Sequence, residues 1–148
     1  MKTAIIYYSK HHGNTKKVID AIAKDNDITL IDAANNDSLC LPDYDLIGFA
    51  SGIYYSKFHQ TVLKFAENNL PFHKKVFFLY TYGSKKESYT KAIKETVSIK
   101  SADILGEYGC LGFDTFGPFK LIGGIAKGHP DNTELSNAIK FYDNITHK

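Results

Sequence analysis

Arginine and tryptophan are both absent from this chain of 148 residues. Its 18 basic side chains other than histidine are therefore all lysines, and they are scattered along the sequence. Nucleic-acid-binding proteins usually present a dense basic patch and rely on arginine for bidentate contacts to bases. With 16 acidic residues, the formal net charge is only +2. The composition argues against a nucleic-acid-binding function.

Cysteine is scarce, and long apolar runs are missing. Cys40 and Cys110 lie far apart and form no CxxC pair, which predicts two reduced thiols. No stretch of about 18 apolar residues predicts a membrane span. The apolar start after Lys2 is too short for a signal peptide. We therefore expect a cytoplasmic protein without a membrane span, and the length suits one domain covering residues 1–148.

Apolar runs alternate with segments of helical spacing along the chain. The runs are continuous rather than alternating, as expected of strands that are covered on both faces. Asp131 followed by Glu134 predicts a capping box at the start of the last helix. This order predicts an α/β fold with a parallel sheet between two layers of helices. The five predicted strands are residues 3–9, 28–33, 45–51, 74–81 and 104–113.

The loop after the first strand consists of seven consecutive non-apolar residues, SKHHGNT. A helix that begins near Asn14 or Thr15 presents unpaired N–H groups and the positive end of its dipole, which together attract a phosphate. Gly13 permits close approach of a ligand, and the hydroxyls of Ser9 and Thr15 add donors. The alternative is that Asn14 or Thr15 only caps the helix and the other residues form a solvated turn. The length of the polar run favours an anion site.

Several known phosphate sites do not fit this loop. A nucleotide P-loop requires GxxxxGK[ST], but Asn14 follows Gly13 here, and the dinucleotide fingerprint GxGxxG is absent. A phosphatase loop requires a cysteine followed by an arginine. A receiver domain requires carboxylates after the first strand and an aspartate at the end of the third, where this chain has Ala50 and Ser51. In a doubly wound sheet, ligands bind beyond the carboxyl ends of the strands, which adds the loops SGIYYSKFH and TYGSKK to the candidate site.

Four segments together resemble the flavodoxin family. SKHHGNT resembles its phosphate loop, LPDYDLIGFASGIYYSKF its third strand and the loop beside the flavin, TYGS its second flavin loop, and GHPDNTELSNAIKFYDNI its closing helix. The resemblance covers essentially the whole chain. It implies a flavodoxin-like doubly wound sheet of five parallel strands in the order 2-1-3-4-5, with helices on both faces, and FMN as the cofactor.

The resemblance also implies roles for the loop residues. The first loop would hold the phosphate, and the backbone of the second would face the edge of the isoalloxazine ring. Tyr82 would stack on one side of the ring and either Tyr54 or Tyr55 on the other. No catalytic residue is assigned, and two adjacent histidines with no carboxylate nearby make a poor metal site. The implied cofactor-binding residues are Ser9, Lys10, His11, His12, Gly13, Asn14, Thr15, Ser51, Gly52, Ile53, Tyr54, Tyr55, Thr81, Tyr82, Gly83 and Ser84.

The three loops differ from the family pattern because they contain lysines and no acidic residue. Lys10, Lys57, Lys85 and Lys86 are present where acidic relatives place carboxylates near the flavin. This predicts a second one-electron reduction step at a less negative potential than in those relatives. The segment 112–130, with five glycines, is long for a connection. It is interpreted as a cover on the flavin side, a docking surface, or a packed crossing loop.

Three functions fit these residues. The first is an electron-transfer protein of the flavodoxin type, with partner proteins that have an acidic docking face. The second is an FMN-dependent reductase or oxidase of a small anionic, quinone-like or porphyrinogen-type substrate. The third is a non-redox domain that keeps the fold and binds a phosphate or a protein. Cys110 is interpreted as a core residue and His59 as a partly exposed, inert side chain.

Overall fold

The computed structural model describes residues 1–10, 12–36, 41–84, 86, 88–114 and 121–147. The strands are β1 (Thr3–Tyr8), β2 (Ile28–Asp32), β3 (Leu46–Tyr54), β4 (Lys57–Phe58), β5 (Lys75–Tyr82) and β6 (Asp103–Leu111). Five of them are parallel and form the main sheet in the order β2-β1-β3-β5-β6. This confirms the predicted order 2-1-3-4-5, since β5 and β6 are the fourth and fifth parallel strands.

Helices cover both faces of the sheet, as predicted. Side chains of α1 and α4 pack on one face, and those of α2 and α3 pack on the other. The central strands β1 and β3 are buried on both sides, which explains why their sequences are continuously apolar. The predicted capping box between Asp131 and Glu134 is present. The helices are α1 (Asn14–Ala23), α2 (Gln60–Asn69), α3 (Lys91–Ser98) and α4 (Asn132–Thr146).

The second loop is more regular than its sequence suggests. Strand β3 continues to Tyr54 and pairs with the antiparallel strand β4, with Ile53 opposite Phe58. Phe58 is fully buried, so the chain must turn back at once to place that ring in the core. The turn residues Tyr55 and Ser56 both have positive φ, at 51° and 64°. Such a turn usually has the sequence Asn-Gly, and this hairpin therefore lacks the usual signal.

The segment after β6 is anchored to the sheet at its beginning. Gly112 N–H donates to the Tyr82 carbonyl at 2.9 Å, and Asp114 and Ile125 exchange two backbone hydrogen bonds as an antiparallel bridge. Its first described residues therefore lie at the carboxyl edge of the sheet.

None of the helices in the described ranges has the length and apolar character that crossing a bilayer requires.

Candidate functional site

A cleft opens at the carboxyl edge of the sheet, where β1 and β3 diverge towards their loops. Its volume is about 390 Å³ with the open space at the mouth included. The cleft brings together residues from all three predicted loops and from a fourth segment that follows β6. The lining residues are Ser9, Lys10, Asn14, Thr15, Gly52, Ile53, Tyr54, Thr81, Tyr82, Gly83, Gly112, Phe113 and Asp114.

The first loop ends in a left-handed turn that starts helix α1. His12 and Gly13 have φ values of 59° and 65°, and the helix begins at Asn14 without a side-chain cap. The alternative in which Asn14 or Thr15 only caps the helix is therefore wrong, because Gly13 occupies the N-cap position. Ser9 Oγ accepts a hydrogen bond from Lys16 N–H at 3.0 Å. Its own O–H remains able to donate, next to the first N–H groups of the helix.

The hydroxyls of Thr15 and Thr81 form a buried pair at a separation of 2.9 Å. This pair links the first turn of α1 to the end of β5. A hydroxyl has one hydrogen, so one of the two donates within the pair and the other can donate into the cleft. The pair thus joins the helix that follows β1 to β5, which lies on the other side of β3 in the sheet.

Two groups of aromatic rings form the walls of the cleft. Tyr54 stands edge-on to His59, with ring centroids 5.0 Å apart, and His59 stacks on Tyr8 at 3.7 Å. On the other side, Tyr82 packs against Tyr80 and Tyr89, at 5.9 and 5.7 Å. Burial raises the pKa of Tyr82, so this ring is neutral at physiological pH.

Tyr55 lies outside this wall. It is at the tip of the hairpin turn with 82% of its surface exposed, whereas its neighbour Tyr54 lines the cleft. Strand β3 ends at Tyr54 and Tyr55 belongs to the turn that follows, so only Tyr54 forms part of the wall.

His59 has a structural role that the sequence did not reveal. The ring Nδ1 of His59 accepts a hydrogen bond from Thr61 N–H at 3.1 Å and so caps helix α2. The backbone N–H of His59 donates to the buried hydroxyl of Ser51 at 2.9 Å. Burial lowers the pKa of His59. His59 is partly exposed, as predicted, and its capping role was missed because a histidine at a helix N-cap gives no sequence signal.

Three lining residues were not predicted: Gly112, Phe113 and Asp114. They follow β6, the edge strand, and belong to the segment 112–130, for which a cover on the flavin side was one interpretation, although none of the three was named as a site residue. The rule that ligands bind at the carboxyl ends of strands applies to this strand too, and it was the available signal. Asp114 brings a carboxylate to a site whose other loops contain none. Its Oδ2 lies 2.6 Å from the position that a Cβ on Gly83 would occupy.

Asn14 connects the first loop to this fourth segment. Its Nδ2 donates to the Phe113 carbonyl at 2.7 Å, which fixes the orientation of the side-chain amide. Its Oδ1 is buried and has no hydrogen-bond partner among the described residues. A buried acceptor without a donor is unfavourable, so this atom is suited to a donor from a bound molecule.

The other predicted residues that the structure describes are not among those that line the cleft. His12 is exposed, with its ring 4.3 Å from that of Phe113, and Ser84 accepts a hydrogen bond from the Tyr89 hydroxyl through its carbonyl. His11 and Lys85 lie outside the described residues, as does Cys40. Cys110 is buried, as predicted, and burial raises its pKa to about 12.

The chain matches a family model described as a flavodoxin domain over residues 5–110. An uncharacterized protein of Methanocaldococcus jannaschii is 39% identical to it, over 98% of each chain. Flavodoxin 2 from Bacillus cereus has a similar structure, with a TM-score of 0.69 over 99% of each chain at 18% identity.

The same fold also occurs within a larger protein. Rubredoxin oxygen:oxidoreductase from Desulfovibrio gigas matches 97% of this chain over 35% of its own length, with a TM-score of 0.65 and 15% identity. These structural likenesses show the fold, and the family model covers most of the chain, including the strands that bear the cleft. The chain belongs to the flavodoxin domain family.

Proposed function

We propose that this protein binds FMN in the cleft and transfers electrons between redox partners. The observation that carries the proposal is the meeting of a helix start with glycine at its N-cap, several hydroxyls and two aromatic walls in one cleft. Bound flavin supplies the redox chemistry, and the protein binds, orients and tunes it.

The first turn of α1 is suited to the phosphate. The N–H groups at Asn14 and Thr15 begin the helix and have no partner within it, and the helix dipole favours a negative charge there. Ser9 and the Thr15–Thr81 pair supply hydroxyl donors. Lys10, an exposed lining residue, adds a positive charge at the rim.

The two aromatic walls are suited to a flat ring. We assign Tyr54 and Tyr82 to the two faces of the flavin, since both line the cleft and both are held by neighbouring rings. A tyrosine offers an apolar face with a polar tip, which matches a ring whose edge stays in water. The buried Asn14 Oδ1 is suited to a hydroxyl donor, such as those of the ribityl chain that joins the ring to the phosphate.

The flavin itself distinguishes this proposal from a non-redox domain. We expect the purified protein to be yellow and to release FMN on denaturation, identified by chromatography at a stoichiometry near one. The cleft offers a single helix start for one phosphate, and so we expect no FAD. A protein that neither retains nor takes up flavin would contradict the proposal, and stoichiometric FAD would contradict the choice of FMN.

A small-molecule reductase is the second candidate, and the likeness to one part of the Desulfovibrio gigas enzyme favours keeping it. Enzymes with this fold can be separated from carriers by turnover. We expect the reduced protein to pass electrons to a one-electron acceptor such as cytochrome c. Rapid steady-state reduction of a quinone with a nicotinamide as donor would favour the reductase instead.

A further inference from the structure

Phe113 is the junction between the first loop and the last part of the chain. Its carbonyl accepts from Asn14 Nδ2 at 2.7 Å, and its N–H donates to the His129 carbonyl at 3.0 Å. Its ring lies 4.3 Å from that of His12. The position of the Phe113 backbone is therefore determined from two sides: by the helix start at the cleft and by His129 behind it.

His129 is in turn held by Glu134, which lies in the first turn of α4. The His129 Nδ1 forms a short contact with Glu134 Oε1. Glu134 Oε2 accepts from Leu111 N–H at 3.0 Å, and Oε1 also accepts from Asp131 N–H at 3.0 Å. The side chains of His129 and Glu134 are 30% and 17% exposed. One carboxylate thus joins the end of β6, the start of α4 and the residue that holds Phe113.

We propose that His129 and Glu134 are positioning residues for the flavin site, and that their ion pair strengthens FMN binding by holding Phe113 against Asn14. The inference rests on the proposed function and deepens it. Neither residue lines the cleft, so they act on the flavin through Phe113 and the first turn of α1. The pair is ionic only while His129 carries its proton, because a neutral imidazole keeps only an ordinary Nδ1–H hydrogen bond to the carboxylate, and FMN affinity therefore depends on that proton.

The direction of this dependence follows from the groups around His129. Its hydrogen bond to Glu134 raises its pKa, burial opposes this, and Asp131, with Oδ2 at 3.8 Å, adds to the rise. Across β6, Tyr108 and Cys110 face Glu134, and both stay neutral because burial raises their pKa values. When folding raises the pKa of a histidine, its charge contributes its full stabilising free energy at pH values below the ordinary pKa of 6.5. The contribution is lost as the pH rises through the folded-state pKa.

The test compares FMN dissociation constants of the wild type and two variants at about pH 6 and about pH 9, on either side of the titration range of a histidine. His129→Gln keeps a hydrogen-bonding side chain without the charge, and His129→Lys keeps a charge throughout. The ratio of the variant and wild-type dissociation constants is taken at each pH. This removes effects that the wild type and the variants share, such as titration of the FMN phosphate and of the histidines in the first loop. His73→Gln is the matched control, because His73 is exposed and precedes β5 at the opposite edge of the sheet.

We expect the wild type to bind FMN about two- to fivefold more tightly than His129→Gln at the lower pH, the size of a partly exposed ion pair. At the higher pH the two should bind equally. His129→Lys should bind more tightly than His129→Gln at both, and His73→Gln should match the wild type. A ratio of wild type to His129→Gln that is the same at both pH values would show a merely structural role and overturn the inference.

A second readout uses the flavin-free protein. The amide of Phe113 should be protected from hydrogen exchange more strongly in the wild type than in His129→Gln at about pH 6, and equally at about pH 9. Equal protection at both pH values would contradict the inference even if FMN binds. Failure of the wild type to bind any flavin would instead contradict the proposed function, while the exchange experiment would still decide whether the pair positions Phe113.

Discussion

The side-chain amide of Asn14 donates a 2.7 Å hydrogen bond to the carbonyl of Phe113, a residue 99 positions further along the chain. This bond joins the helix that begins at the cleft to the segment beyond the edge strand. Gly112 permits the contact, because a Cβ at that position would lie 2.7 Å from the same amide nitrogen. The site is therefore built from four segments, and its first and last parts are directly bonded.

Replacing Asn14 tests this bond. Asn14→Asp has almost the same shape, but it cannot donate to Phe113 and it adds a negative charge beside the proposed phosphate. We expect FMN to bind at least about fivefold more weakly, since an unsatisfied buried partner costs about 1–3 kcal/mol. The measurement is a flavin fluorescence titration. Asn26→Asp is the matched control, because the Asn26 amide also donates to a backbone carbonyl, that of Ile22, at the far end of α1.

The hydroxyls of Ser9 and Thr15 are expected to bind the phosphate directly. The double variant Ser9→Ala/Thr15→Ala should lose about 1.5–3 kcal/mol of FMN binding per bond to the charged group. Riboflavin, which lacks the phosphate, should be affected much less. Thr96→Ala/Ser98→Ala makes the same chemical change on α3, where both hydroxyls donate to helix carbonyls. Equal FMN affinity of the two double variants would show that the first loop does not hold the phosphate.

Asp114 modifies the redox expectation that was drawn from the three lysine-bearing loops. Its carboxylate disfavours the extra negative charge of a reduced flavin, so Asp114→Asn should raise the potential of the second reduction step. The limit is about 70 mV, for a charge about 10 Å from the ring at an effective dielectric near 20, and solvent screening makes the shift smaller. A spectroelectrochemical titration measures it. Asp103→Asn, at the other end of β6, should leave the potential unchanged.

Lys57 should act in the opposite direction. It is exposed next to the hairpin turn, and Lys57→Glu should lower the same potential by a few tens of millivolts, with an effect that shrinks as salt is added. The charge reversal should also slow electron transfer to an acidic partner. Lys24→Glu, at the exposed C-terminal end of α1, is the control. If Lys57→Glu leaves the potential as unchanged as the control does, backbone hydrogen bonds and ring stacking set the potential instead of side-chain charge.

His59 should make the protein sensitive to acid. Because burial lowers its pKa, the unfolded chain binds a proton more readily than the folded one. Stability should therefore fall as the pH drops below the ordinary value of 6.5 towards the folded-state pKa. His59→Asn keeps a good N-cap for α2 but does not titrate, and its urea midpoint should lose this acid-side decline. A decline that persists unchanged in His59→Asn would assign it to another group.

The strands and the location of the cleft could be predicted because they depend on strong local signals, whereas the order of the strands was implied by the resemblance to the flavodoxin family. Continuous apolar runs mark buried strands, and the polar run from Ser9 to Thr15 stands out against them. The capping box at Asp131 was equally clear, since both of its residues are sequence neighbours. Two statements stay predictions: residues 1–148 form one domain, and the flavin is FMN.

The missed features depend on contacts between distant residues. Asp114 reaches the cleft only through its bridge to Ile125 and the position of β6 in the sheet. The role of His59 depends on a turn that places it at the start of α2. The choice between Tyr54 and Tyr55 as a lining residue required the register of the β3–β4 hairpin. No local pattern contains these relationships.

The β3–β4 hairpin makes one wall of the cleft preorganised. Phe58 anchors it in the core against Phe78 and Tyr80, and Ile53 pairs with Phe58 in the register that brings Tyr54 to the cleft. The backbone that carries Tyr54 could move away from the cleft only if the hairpin withdrew a fully buried ring. The conformational entropy of this wall is therefore lost when the chain folds, not when a ligand arrives, which favours tight binding with little rearrangement on this side.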